Sequence, residues 1–299
     1  MFCCDDKHPS DLLEKGHIDY NVREAIRQGV DPIVAVKVAC HHAARYFLLN
    51  NRGAIAPGYL ADFVVIDSFQ DFNILQVFKK GVEFYDGKTV RDFPEPAIDS
   101  YLAEKAHDTF HVACLTAEDF VEKRPRAIIG MVPGEIVTED KGYSDHIDSE
   151  WDILKIAVIE RHKNTHHIGV GYLQGYGLKR GAVATSVSHD SHNIIVVGAS
   201  EADMAAAANR VTANRGGIVV LESGQVRGEV ALPIAGLMSD GSLEAVNEAL
   251  ECAKAAAFSL GVSRDIDPFM TLSFMSLPVI PTVRLTTRGV IDVLKQQYI

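Results

Sequence analysis

The sequence predicts an α/β fold, and three features carry that prediction. Two runs of strand length stand at 153–159 and 194–198, the second fully apolar and reading Ile194-Ile195-Val196-Val197-Gly198. Segments with apolar residues at helical spacing alternate with such runs, and capping residues or glycines punctuate them. The 299 residues are 47% hydrophobic and 23% charged, which is the balance of a globular chain and excludes a disordered or fibrous one. That length suits about two domains.

Taken in order, 11–28 reads as a helix with Leu12, Leu13, Val22 and Ile26 among its apolar positions and Gly29 as its stop. Asp31-Pro32 places an N-cap residue before proline at the first helical position. The helix it starts runs to about Phe47, with Ile33, Val36, Ala39 and Ala43 on one stripe. The pattern then turns to β. Gly53-Ala54-Ile55-Ala56-Pro57-Gly58 reads as a short strand and turn, and 63–67, 74–79 and 82–85 read as strands, the last two joined at Lys80-Gly81. Between 91 and 150 the pattern is least regular. Pro94 and Pro96 suggest a linker, with extended structure expected at 126–131 and 136–138. From 151 a compact unit begins. Strands are expected at 153–159, 168–173, 182–186, 194–198, 218–221 and 226–231, the last two forming a hairpin around Ser223-Gly224. Helices are expected over 201–214 and, behind the cap Ser242, over 243–260.

Charge and cysteine usage exclude several classes of function. Lys and Arg number 29 against 40 Asp and Glu, so the net charge of −11 gives no cationic face for phosphates and argues against nucleic-acid binding. The longest uncharged stretch, 268–283, is short of a membrane span and holds three prolines, so no membrane partner is expected. Five cysteines without CxxC spacing read as reduced thiols of a cytoplasmic protein. Met1-Phe2-Cys3-Cys4-Asp5-Asp6 has no polar lead-in and no leader pattern, and reads as a chain that begins inside a core. The phosphate loop GxxxxGK[ST], the GxSxG elbow and the HxE…PCxxC zinc pattern are absent.

His189-Asp190-Ser191-His192-Asn193 is the densest polar constellation and falls between two apolar strands. Two histidines and a carboxylate there suit a metal or a polar substrate, while a turn held by Asx-type bonds is the plainer alternative. Asp5 and Asp6, just before a helix, suit metal binding and proton transfer, against the alternative of acidic residues favoured by the helix dipole. His41-His42 and His166-His167 are adjacent pairs. Neighbours on a helix face different ways, so His41 and His42 cannot easily share an ion. Glu160-Arg161-His162 reads as a charged strand end, most simply a surface salt-bridge cluster.

The run 189–198 resembles the C-terminal domain of bacterial adenine deaminases, which belong to the amidohydrolase superfamily. The same resemblance extends to Gly175-Tyr176-Gly177-Leu178-Lys179-Arg180-Gly181-Ala182, to the run 232–240 beginning Leu232-Pro233-Ile234-Ala235-Gly236, and to Leu277-Pro278-Val279-Ile280-Pro281. In the front half it extends to Asp5-Asp6-Lys7-His8-Pro9, Gly16-His17-Ile18-Asp19-Tyr20 and Gly53-Ala54-Ile55-Ala56-Pro57-Gly58. The resemblance implies an α/β fold made of the terminal strand and helices of a metal-dependent (β/α)8 barrel (1–48), part of a small β-sandwich (49–90), a linker and irregular segment (91–150) and a C-terminal α/β domain (151–299).

It also implies hydrolytic deamination of adenine to hypoxanthine and ammonia, with adenine as the small-molecule partner and a divalent metal, manganese or iron, as cofactor. Asp5 matches the acidic residue that ends the last barrel strand, a metal ligand and proton carrier, with its neighbour Asp6 as the alternative for that catalytic carboxylate. His189, Asp190, His192 and Asn193 match the C-terminal signature and are expected to bind substrate. The HxH pair and later metal histidines of the family have no counterpart here, and the Asn that the family commonly has before the small residues of the helix matched by Cys40-His41-His42-Ala43-Ala44 is missing. The expected reading is therefore a C-terminal fragment that is inactive alone, with association into homo-oligomers open to it. A non-catalytic purine-binding or interaction module, and an amidohydrolase acting on another amine or amide, are the alternatives.

Overall fold

The computed structural model describes residues 1–93 and 96–299, so the expected linker residue Pro94 lies outside the described residues. The chain divides into two units, Met1–Ala97 and Ile98–Ile299.

In the first unit, helix α1 (Pro9–Lys15) is followed by α2 (Ile18–Arg27). The single helix expected over 11–28 is thus broken. Gly16 takes a φ of 91°, open to glycine at little cost, and the Asp19 carboxylate accepts from the His17 amide at 2.7 Å to restart the chain. Asp31 caps α3 (Pro32–Lys37) by accepting from the Val34 amide at 3.0 Å. The helix then continues through a π turn, Val38–His42, into α4 (Ala43–Tyr46). A small core gathers Val22, Ala35 and Phe72.

Strands β1 (Phe63–Ile66), β2 (Ile74–Lys79) and β3 (Val82–Tyr85) form an antiparallel sheet in that order. Lys80 and Gly81 both have positive φ, as the two-residue β2–β3 hairpin requires. Residues 1–8 and 53–58 are not strands. Extended backbone becomes a strand only with a ladder partner, and these segments have none among the described residues.

The second unit opens with α5 (Ser100–His107) and a 3₁₀ turn, Ala117–Phe120. Eight strands then build one sheet: β4 (Arg126–Met131), β5 (Thr138–Ser144), β6 (Ile153–Ile159), β7 (Ile168–Gln174), β8 (Ala182–Thr185), β9 (Ile194–Gly198), β10 (Gly217–Glu222) and β11 (Gln225–Ala231). Their order is β11-β10-β8-β9-β6-β7-β4-β5, antiparallel throughout except for the parallel β4–β7 pair.

Both faces of this sheet are covered, which is why β9 reads as an unbroken apolar run and β6 as one interrupted only by Lys155. Helix α6 (Glu201–Ala213) and the 3₁₀ turn cover Ala157, Ile159, Ile194 and Val196. Helices α7 (Leu243–Ser259) and α8 (Pro268–Phe274) cover Ile156, Val158, Ile195 and Val197 on the other face. A hairpin of β12 (Val283–Thr286) and β13 (Gly289–Asp292) joins that second layer, with β14 (Gln297–Tyr298) at its edge. Extended structure expected at 126–131 is β4, whereas that expected at 136–138 begins instead at Thr138. The chain is a mixed α/β protein with one large mixed sheet and two small antiparallel sheets. No described helix is long and apolar enough to cross a membrane.

Candidate functional site

The polar run 189–193 lies in the loop that joins β8 to β9, as its place between two apolar strands predicts. Register places a second segment beside it. Ile159 at the end of β6 pairs with Ile194 at the start of β9, so Glu160, Arg161 and His162 leave the sheet at the edge where the loop enters it.

Within the loop, the His192 amide donates to Ser188 O at 2.6 Å, and the Ser188 amide donates to His192 Nδ1 at 3.4 Å. Nδ1 therefore serves as an acceptor, and the proton of the neutral imidazole sits on Nε2. Burial, together with His189 and Arg161, holds the His192 imidazole below its ordinary range, so the ring is neutral at pH 7. The His189 ring stands 5.8 Å from that of His192 and 4.8 Å from Phe274.

The loop is tied to the C-terminal end of α8 and the residues just after it. Ser188 Oγ and Ser276 Oγ are 2.5 Å apart, Ser276 Oγ donates to His189 O at 3.1 Å, and the His189 amide donates to Ser273 O at 3.0 Å. Asn193 is buried; its Oδ1 accepts from the Arg161 amide at 3.2 Å and its Nδ2 donates to Ser191 Oγ at 3.1 Å. Asp190 is exposed. The loop thus brings His189, His192 and Asn193 together and leaves Asp190 at the surface.

The expected surface salt-bridge cluster at 160–162 does not form. Glu160 folds its carboxylate over its own turn and accepts from the amides of His162 at 2.6 Å, Lys163 at 3.0 Å and Thr165 at 3.1 Å. These bonds outweigh burial and hold its carboxyl below the usual range. His162 Nε2 lies 2.8 Å from Ser191 O. Arg161 is only 2% exposed and points inward, where its guanidinium donates to backbone carbonyls rather than to a carboxylate. The sequence signal for this was weak: an arginine directly after an apolar strand, in a segment with few apolar neighbours.

Asp5 and Asp6 belong to the first unit and are exposed, and Asp5 takes a φ of 53°. His41 and His42 sit in the π turn with ring centroids 6.0 Å apart, one half-buried and one exposed, as expected of helical neighbours. Among the described residues no group of three or more His, Cys, Asp or Glu side chains is placed to hold a metal ion. The two exposed carboxylates near the start of the chain do not complete a divalent-metal site, which needs three or more protein ligands at a catalytic zinc-type centre. All five cysteines are free.

Comparison with known proteins agrees with this architecture. The amidohydrolase family matches residues 1–84. A second family, described as adenine deaminase C-terminal domain, matches residues 134–297, and the chain belongs to that family. Proteins named adenine deaminase are similar over nearly its whole length. That of Sinorhizobium fredii is 44% identical across 97% of this chain and 52% of its own length. Those of Desulfatibacillum aliphaticivorans and Kosmotoga olearia are 43% and 42% identical, over 98% and 100% of this chain. The chain spans about half the length of these relatives.

Proposed function

We propose that this chain supplies the C-terminal portion of a hydrolytic adenine deaminase, an enzyme that converts adenine and water to hypoxanthine and ammonia. The observation that carries this reading is the 189–193 loop, a rigid polar turn within a chain whose relatives share that activity in name. A purine is uncharged and flat, so a pocket recognises it through a few fixed donors and acceptors rather than through charge. A neutral His192 with its proton on Nε2 supplies one such donor, suited to a ring nitrogen of the base. In this reading His189, Asp190 and Asn193 of the same loop bind the purine with it.

Asp5, with Asp6 beside it, is the proposed metal-binding and proton-carrying carboxylate. The divalent metal, manganese or iron, would supply an activated water when bound. Its remaining ligands would come from outside these 299 residues, because among the described residues no group completes the site. Alone, the chain is expected to bind purine without turning it over. Free cysteines fit a cytoplasmic setting.

The test is reconstitution. The chain is mixed with a polypeptide carrying the half of the Sinorhizobium fredii relative that it does not match, and ammonia release from adenine is followed with and without His192→Ala. The variant is expected to fold normally and to lose about 10- to 100-fold in kcat/KM, the scale of one hydrogen bond to a polar substrate. Unchanged kinetics would remove His192 from the site. Absence of turnover from any such mixture, with manganese or iron supplied, would count against the deaminase reading itself.

A further inference from the structure

We infer that Arg161 is the positioning residue of the 189–193 loop: its buried guanidinium sets the backbone of His192 and so decides which imidazole nitrogen faces a ligand. The loop geometry itself needs only the contacts below; the identity of the ligand rests on the deaminase reading.

His192 has a φ of 49°, the left-handed region that a residue with a Cβ enters only at a cost of about 1 kcal/mol. Something outside the loop must hold it there, and Arg161 is the group that does. Its Nε donates to His192 O, and its own amide donates to Asn193 Oδ1 at 3.2 Å, so it grips two consecutive loop residues. The other arms reach two distant segments. Nη1 donates to Thr109 O at 3.0 Å and Thr109 Oγ1 at 3.3 Å, and Nη2 donates to Ala235 O at 2.9 Å.

The Phe110 ring covers one face of the guanidinium, with Cζ 4.3 Å from the ring centroid. Gly236 makes room for both groups, since a Cβ there would lie 2.8 Å from Phe110 and 3.0 Å from Arg161 Nη2. Ser186 Oγ, donating to Gly236 O at 2.6 Å, fixes that glycine in turn. Two of the runs that carry the family resemblance, 189–198 and 232–240, therefore meet on one side chain that lies in neither.

The chemistry explains why the residue is arginine. Three carbonyls in three directions need a planar fork of donors, which an ammonium cannot provide. Burial pulls the guanidinium down to about 10, so it remains charged at neutral pH. With its side chain buried and its Nε, Nη1 and Nη2 each on a carbonyl or hydroxyl, it does not face the ligand, and so acts through His192 rather than on substrate.

The 299-residue chain itself serves for the test. Arg161→Lys keeps the charge and loses the fork; Gly236→Ala keeps Arg161 and displaces it. Lys155→Met is the control, since it removes another buried cation, one on β6 that donates to Glu201 Oε1 at 2.6 Å away from the loop. Three readouts are taken: melting temperature, the ¹⁵N spectrum of the His192 ring, and adenine binding by titration. Arg161→Lys and Gly236→Ala are expected to replace the fixed ring signals, with Nδ1 as acceptor, by the averaged signals of a free imidazole. Adenine affinity should fall about tenfold, the loss of one oriented hydrogen bond. Lys155→Met should lower the melting temperature and leave the ring spectrum unchanged. A wild-type ring spectrum in folded Arg161→Lys or Gly236→Ala would overturn the inference. A changed spectrum together with no adenine binding by the wild-type chain would keep Arg161 in its role and remove adenine as the ligand of the isolated chain.

Discussion

Gly169→Ala is expected to destabilise the second unit by about 3 kcal/mol, at the upper end of what overpacking costs. Gly169 lies on β7, and a Cβ built there would stand 1.9 Å from Thr286 O and 2.7 Å from the Gly289 amide nitrogen. Those atoms belong to the turn of the β12–β13 hairpin, so the clash is with backbone and no side chain can swing aside. Relief requires the hairpin to lift from the sheet. Val283, Leu285 and Val290 would then leave the core they share with Ile156 and Val158. Denaturant unfolding reads this as a lower midpoint. Gly241→Ala is the control, because its Cβ would meet nothing closer than Ser239 Oγ at 3.3 Å, and it should stay within about 0.5 kcal/mol of wild type. A midpoint unchanged by Gly169→Ala would show that the hairpin does not rest on β7.

Phe120→Ala should cost about 4 kcal/mol, the range for emptying a phenylalanine site in a packed core. Phe120 ends the 3₁₀ turn Ala117–Phe120 and is fully buried among Leu115, Ile159, Val170 and residues of α6 such as Ala208 and Val211. The segment that brings it there is pinned by Asn209, whose Oδ1 accepts from the Leu115 amide at 2.9 Å and whose Nδ2 donates to Leu115 O at 2.8 Å. Neighbouring Val121 is 51% exposed, and Val121→Ala should change stability by no more than about 0.5 kcal/mol. Equal, small losses from both variants would mean that this stretch only passes over the sheet instead of closing one face of its core.

These two residues also show where sequence reading succeeds and where it stops. Strand β9 is legible because helices cover both sheet faces, so every side chain along it is apolar and no period-two ambiguity arises, and β6 is legible for the same reason although Lys155 interrupts it. The β2–β3 hairpin is legible because Lys80-Gly81 supplies the backbone that a two-residue turn demands. Phe120 is not legible. It stands in a short turn with no periodic neighbours, and only the surface of α6 explains its burial. The helix expected over 11–28 fails at Gly16 because a bond from the His17 amide to Asp19 restarts the helix, and that bond has no signature in apolar spacing.

At the candidate site the loop itself is legible and its support is not. His189, His192 and Asn193 stand out as a polar cluster between apolar strands. Arg161 looks like surface charge because its partners are carbonyls of Thr109, His192 and Ala235, and backbone atoms leave no mark in a sequence. Ser276, which fixes the other side of the loop, is likewise 87 residues away from His189.

The central proposal is that the 189–193 loop faces the purine of an adenine deaminase while the described residues hold no complete metal site. Its most direct test is a paired measurement on the purified chain: bound manganese and iron by elemental analysis, and ammonia release from adenine with either metal supplied in excess. The account predicts substoichiometric metal and no turnover above the uncatalysed rate, with activity arising only when a polypeptide bearing the unmatched half of a relative is added. Robust turnover by the chain alone, with one or more metal ions bound per molecule, would contradict it.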